Sequence, residues 1–354
     1  MTPVGTSRLR LGLAALLAAA CAAPLTAQVV EGRVVRASDS AGVASALVRL
    51  LDPLGQRVAQ TSTWSDGAFS LTVPAPGPYA IAVLRIGQRP WRSPVLDLES
   101  GAVRRLTLAV PDEPIRLAAI PIETRSRCRT SPAEGSVVAQ LLEEADKALT
   151  VTRLAMERHE GEYVVRLYQR LLYREAQTRL LRTADSVGIL AGGQTWPIRS
   201  LPPDSLAVHG FVREDTDSGP VRYTYFAPDA TVLLSQWFIA SHCFGVREGS
   251  GADTGTIIVT FRPEGGGMAD IEGQIVFAQQ TLELRRLEWR YVRQPYWVDQ
   301  EGAAGEMVLD RLPSGVYLPS RWWMRAPVSG VNRRRQPTRV WGWMERGGHL
   351  APGP

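Results

Sequence analysis

The stretch that decides the fold is Thr63-Trp64-Ser65-Asp66-Gly67-Ala68-Phe69-Ser70-Leu71-Thr72-Val73-Pro74. Asp-Gly at the head of an alternating run is a strong hairpin signal, because glycine takes the positive φ that a tight turn requires. Beyond it Phe69, Leu71 and Val73 alternate with Ser70 and Thr72, the period of a strand buried on one face. Working outward, the same rhythm recurs at residues 30–35, 46–50, 57–63, 79–86 and 103–110, with Asp39-Ser40-Ala41-Gly42 and Pro76-Gly77 as punctuation. Strands this closely spaced predict an antiparallel β-sandwich for residues 28–110.

Gly32-Arg33-Val34, Gly42-Val43-Ala44-Ser45-Ala46-Leu47-Val48, the hairpin above and Pro76-Gly77-Pro78-Tyr79 fall in order. Together they resemble the carboxypeptidase regulatory-like domain. The resemblance implies a seven-stranded transthyretin-like or carbohydrate-binding-like sandwich, used as a non-catalytic spacer or binding platform. It does not imply peptidase activity. Phe69 and Tyr79 are expected in the core, whereas Trp64 and Trp91 lie nearer turns and are open to stacking on a sugar.

Residues 1–27 have secretory form: Arg8 and Arg10, an apolar run at 11–23, then Pro24-Leu25-Thr26-Ala27. Such a run is shorter than the ~20 residues a spanning helix needs and suits a cleaved export signal. Cleavage is expected after Ala27; the alternative is a lipid anchor on Cys21, which follows Ala18-Ala19-Ala20. Either route places the protein in the periplasm or at the outer membrane, without a transmembrane span in the mature chain. Two cysteines then remain, Cys128 and Cys243. In an oxidising compartment a lone pair is expected to be bridged.

The 354 residues are 45% hydrophobic and 21% charged, which excludes wholesale disorder. The formal charge of +5 includes Arg8 and Arg10 of the export segment. A nearly neutral mature chain gives no general case for nucleic acid. Lys147 is the only lysine among 40 basic residues.

After a proline-marked linker at 111–130, residues 131–348 form the second unit, with 349–354 as a tail. Val137, Val138, Leu141, Leu142, Ala145, Leu149 and Leu154 predict one long amphipathic helix over 136–158, with Glu143, Glu144 and Lys147 off its apolar stripe. Alternating segments follow from Tyr163 onward, and a short helix is expected over 229–238. The fold class is therefore mainly β: a sandwich followed by an α+β domain with a curved antiparallel sheet and one long helix. The rhythm of 271–277 and 281–289 resembles periplasmic half-barrel lipid- or lipoprotein-carrier folds.

No linear motif assembles a reactive centre. His159-Glu160-Gly161-Glu162 has the His-Xaa-Xaa-Glu spacing of zinc carboxypeptidases, but no third ligand motif accompanies it. His242 and Cys243 are adjacent in an extended segment and should face opposite ways. No nucleophile elbow, phosphate loop or dinucleotide fingerprint is present, so no catalytic residue, metal or cofactor is expected. The candidate binding residues are aromatic and basic: Trp322, Trp323, Trp341 and Trp343, with Arg333, Arg334 and Arg335. Exposed indoles stack on sugars, lipids or peptides, and guanidinium groups bind anions. The expected partner is an envelope glycan, lipid or protein. A hydrolase without a linear signature and an accessory of an outer-membrane transport system are the alternatives.

Overall fold

A computed structural model describes residues 28–99, 103–117, 132–158, 163–173, 182–186, 200–215, 222–295, 302–332 and 337–352. The expected export segment with Cys21, Cys128, the His159–Glu162 motif and Arg333–Arg335 lie outside the described residues.

The first unit contains β1 (Gln28–Arg36), β2 (Leu47–Leu51), β3 (Arg57–Ser62), β4 (Ala68–Val73), β5 (Gly77–Leu84), β6 (Trp91–Arg92), β7 (Leu96–Leu98) and β8 (Val103–Val110). One sheet has the order β4-β1-β8; the other runs β3-β2-β5-β6, with β7 also on β5. The sandwich is as expected, with two refinements. The short β6 and β7 bring the described strands to eight, and β1 runs parallel to β8. Gly67 takes φ +88° in the turn after β3, but the expected hairpin is not formed. Instead β3 pairs with β2 and β4 with β1, so the turn carries the chain from one sheet to the other, and Phe69, Leu71 and Val73 face inward. Tyr79 is buried and its hydroxyl donates to the Ala75 carbonyl at 2.9 Å.

The second unit comprises α1 (Pro132–Glu157), β9 (Tyr163–Tyr173), β10 (Arg182–Ser186), α2 (Pro203–His209), β11 (Val212–Asp215), β12 (Arg222–Tyr225), α3 (Ala230–Leu233), α4 (Gln236–Ser241) and β13 (His242–Glu248). It continues with β14 (Thr256–Pro263), β15 (Asp270–Ala278), β16 (Leu284–Val292), β17 (Ala304–Arg311), β18 (Tyr317–Val331) and β19 (Pro337–Pro352). Nine of these strands form one antiparallel sheet in the order β10-β9-β19-β18-β17-β16-β15-β14-β13. The single helix expected over 229–238 is two short ones, α3 and α4. Ser235 stands between them and caps α4 by accepting from Phe238 N.

Inward residues of the sheet, among them Ile257, Phe261, Ile275, Leu287, Met307 and Trp322, share one core with Val138, Leu141, Leu142, Ala145 and Leu149 of α1. The inner face that a carrier half-barrel would keep for a lipid is thus packed against the helix.

Three sequence expectations change. Residues 349–352 are not a tail, because β19 continues to Pro352, opposite Tyr163. Gly347 and Gly348 are strand residues under large neighbours. A Cβ at Gly348 would lie 2.5 Å from the Trp322 ring, and one at Gly347 2.6 Å from the Tyr168 hydroxyl. Glycine inside a strand often marks such an approach. Glu144 and Lys147 are not solvated, since the sandwich covers that side of α1 and leaves them 1% and 4% exposed. The linker is partly fixed: Arg89 N donates to Glu113 O, and Ile115 N to Gly87 O.

The two units meet along α1. Ile86 of the sandwich enters the core of the second unit. Gly87 N donates to Glu144 Oε2 at 2.7 Å, while Lys147 Nζ donates to Glu144 Oε1 at 2.5 Å and reaches Arg85 O at 3.4 Å. Arg49 pairs with Asp146, and Ser45 Oγ accepts from Tyr317 N.

Candidate binding groove on the C-terminal sheet

Period-2 alternation gives the large sheet a second, polar face opposite α1. Registers across β14 to β18 place Thr260 beside Gln274, Gln274 beside Glu288, Glu288 beside Glu306, and Glu306 beside Trp323. The adjoining row contains Glu272, Arg290, Ala304, Arg325 and Glu345. A depression of about 650 Å³ lies over these rows, with Ala304 among its lining residues and Trp323 and Cys243 at its borders.

The polar groups are held in place by one another. Arg290 Nε donates to Glu272 Oε1 at 2.6 Å, and Arg321 donates to Glu306 at 2.9 Å. Gln274 Nε2 donates to Glu288 Oε2 at 2.5 Å, and Arg286 pairs with the same carboxylate. Glu288 and Glu306 stand directly opposite, an unfavourable arrangement that the flanking cations offset. Further along, Arg325 donates to Glu345, and Tyr168 hydrogen-bonds that carboxylate at 3.3 Å. Burial, with the Glu345 charge adding to it, pushes the Tyr168 phenol up to about 12.

The four tryptophans do not form one surface. Trp322 is 2% exposed and belongs to the core, which removes it from any binding face. Trp323, its neighbour, takes the outer face and is half-buried, with Arg325 over its ring at 4.9 Å. Trp343 lies against Gly302, where a Cβ would clash with its indole, and Trp341 is 41% exposed on the same strand. In the sandwich, Trp64 is covered by Arg158, whose guanidinium sits 4.5 Å from the ring and donates to Ser62. It closes the contact between the units instead of offering a stacking face. Trp91 packs against the sandwich core.

His242 and Cys243 face opposite ways, as expected. The His242 ring stacks on Phe238 at 3.7 Å, with Nδ1 at 3.1 Å from both Ser241 Oγ and the Phe238 carbonyl. Its Nε2 lies 3.3 Å from Asp270 but outside hydrogen-bond geometry. Ser241, His242 and Asp270 resemble a relay only in composition: the imidazole is 0% exposed and serves the C-terminus of α4. Among the described residues no group of three or more His, Cys, Asp or Glu could hold a metal ion. Cys243 is disulfide-bonded, and both other cysteines lie outside the described residues.

Sequence reasoning missed Gln274, Glu288, Arg290 and Glu306. The available signal was the polar residues at alternate positions, Glu272 and Gln274, then Arg286, Glu288 and Arg290. It reads as a solvated face until the registers show that five strands bring such residues together.

The first unit is a two-sheet module of the regulatory-like class. Residues 29–111 match the family model for the carboxypeptidase regulatory-like domain, a non-catalytic module. No curated protein matches the chain. Among solved structures, a protein of unknown function from Bacteroides fragilis NCTC 9343 is 10% identical, with 92% of this chain and 98% of that one covered and a TM-score of 0.18. A 9R-lipoxygenase from Cyanothece PCC8801 is also 10% identical, over 78% of this chain and 41% of that one, with a TM-score of 0.20. Likenesses of this size bear on neither fold nor function.

Proposed function

We propose that the chain is an exported, non-catalytic protein of the bacterial cell envelope that binds an envelope component in the outer groove of its C-terminal sheet. The sandwich is a fixed spacer docked on α1. The observation that carries this reading is the groove: polar side chains from adjacent strands, each held by a cross-strand partner, converge on the face opposite α1. Groups held before the ligand arrives lose less entropy when it binds. The export segment supports the location, as does the bonded state of Cys243, which we pair with Cys128. No described helix is long and apolar enough to cross a membrane.

Co-sedimentation with isolated Gram-negative envelopes tests the reading. The exported chain should pellet with them, and a chain that stays in the supernatant ends the proposal. Stoichiometric zinc with turnover on a hydrolase panel would favour the enzymatic alternative.

A further inference from the structure

Resting on that reading, we infer that the outer groove holds a phosphate group of its ligand between Arg247 and Arg262. The carboxylates of the lining already have guanidinium partners: Glu272 has Arg290, Glu288 has Arg286 and Glu306 has Arg321. Arg247 and Arg262 line the same depression and stand beyond those pairs. A guanidinium that already has one partner keeps further N–H donors in its fork, so neither arginine has to be vacant to take an anion. An incoming anion therefore displaces no carboxylate at this end of the groove, whereas a cation would meet two like charges.

Register sets the shape of the site. On the outer face, β13 and β14 stack three rows: Cys243 with Arg262, Gly245 with Thr260, and Arg247 with Ile258. Alternate residues on one face of a strand are roughly 7 Å apart, so the two arginines flank a middle row made of a glycine and a hydroxyl. Arg247 leans over that row, with Nη2 3.4 Å from Gln274 Oε1 on the far side of β14. Among the described residues its other polar contact is the Glu248 carbonyl at 3.5 Å. Both contacts are long, so the fork is loosely held and can turn to a better acceptor. Gly245 leaves room over the middle row, since a Cβ there would stand 3.0 Å from Thr260 Oγ1. Donors are thus placed on two opposite sides and beneath. A tetrahedral phosphate has oxygens for all three directions, whereas a planar carboxylate is satisfied by one fork from one side.

The experiment repeats the envelope co-sedimentation with sodium phosphate or sodium acetate added at equal ionic strength. Phosphate should release the chain and acetate should not. Arg247→Gln and Arg262→Gln should each weaken retention by about tenfold with unchanged melting curves. Arg104→Gln, exposed on the sandwich, should leave retention intact. Arg247 is exposed, so its variant keeps the test decisive if Arg262→Gln melts early. The shared chemistry is a phosphate ester, and two further arms find its source. Retention on vesicles of the envelope lipid extract supports a lipid headgroup, and retention on the delipidated residue supports a lipid-free phosphate. Equal release by the two salts, or equal retention of wild type and Arg247→Gln, would overturn the phosphate site and leave the binding reading standing. Absence of wild-type retention would remove both.

Discussion

Lys147, the chain's only lysine, places its Nζ 2.5 Å from Glu144 Oε1 at 5% and 1% side-chain exposure, on a helix face closed by a different folding unit. The other Glu144 oxygen accepts from Gly87 in the sandwich, and the ammonium reaches the Arg85 carbonyl. A compact ammonium directs donors to two acceptors in a confined space, where a planar guanidinium needs a wider fork. Removing one member of a buried pair leaves an uncompensated charge. Lys147→Met should therefore destabilise by ~3–5 kcal/mol in chemical denaturation. The double variant Lys147→Met with Glu144→Gln keeps an acceptor for Gly87 and should recover much of that loss. A double variant at least as unstable as the single one would show that the two residues act independently.

The same carboxyl gives a pH signature. Burial pushes Glu144 above its ordinary value near 4.5, against the pull of Lys147 and the Gly87 amide. A raised carboxyl contributes stability that is complete below the unfolded pKa and is lost as pH rises through the folded one. The stability of wild type relative to Glu144→Gln should therefore fall as pH rises above about 4.5. Paired urea titrations across this range will show it, and a difference that grows with pH would contradict it.

Gly87 occupies the tightest point of the junction. Its φ is +70°, and an added Cβ would lie 2.0 Å from the Thr281 carbonyl oxygen. Gly87→Ala should cost ~2 kcal/mol or more, combining the left-handed backbone with displacement of the β15–β16 turn. Gly55 supplies the control: its φ is +79° with nothing within 4 Å, so Gly55→Ala should show the backbone cost alone. Equal melting temperatures for the two variants would refute the steric component.

Arg158 reaches from the end of α1 to Ser62 and covers Trp64. Trp64→Ala removes the ring but leaves the Asp66-Gly67 turn, so it should loosen the contact between the units before it unfolds either one. Limited proteolysis should then cut within the 111–131 connector faster than in wild type. Cleavage first inside the sandwich would instead assign Trp64 to the stability of its own domain.

For Cys128 and Cys243, the intact mass of the exported protein should be two hydrogens below that of the dithiol, and alkylating reagent should add only after reduction. The loop is long, so the bridge should stabilise by at most roughly 4–5 kcal/mol. Labelling of Cys243 in the native, unreduced protein would reject the pairing.

The sandwich was legible because its evidence is local. Asp66-Gly67 specifies a turn, and Phe69, Leu71 and Val73 specify a face within the same dozen residues. The large sheet was legible strand by strand for the same reason, apart from β10 and β13. The end of the chain was not legible, because 349–352 belong to β19 only through pairing with β9 and β18, which neighbouring residues do not specify. Glu144 and Lys147 misled on α1, because the burial of a helix's polar side depends on what docks there.

The amino-acid order by itself determined the alternation of faces, the turns and the apolar stripe of α1, all properties of neighbours within a few residues. Only the tertiary structure decided that Trp322 is core while Trp323 borders a groove, and that Glu288 stands opposite Glu306. It also decided that a lone lysine joins two folding units. Those relations are set by register and docking between segments far apart in the chain, and neither composition nor periodicity encodes which strand lies beside which.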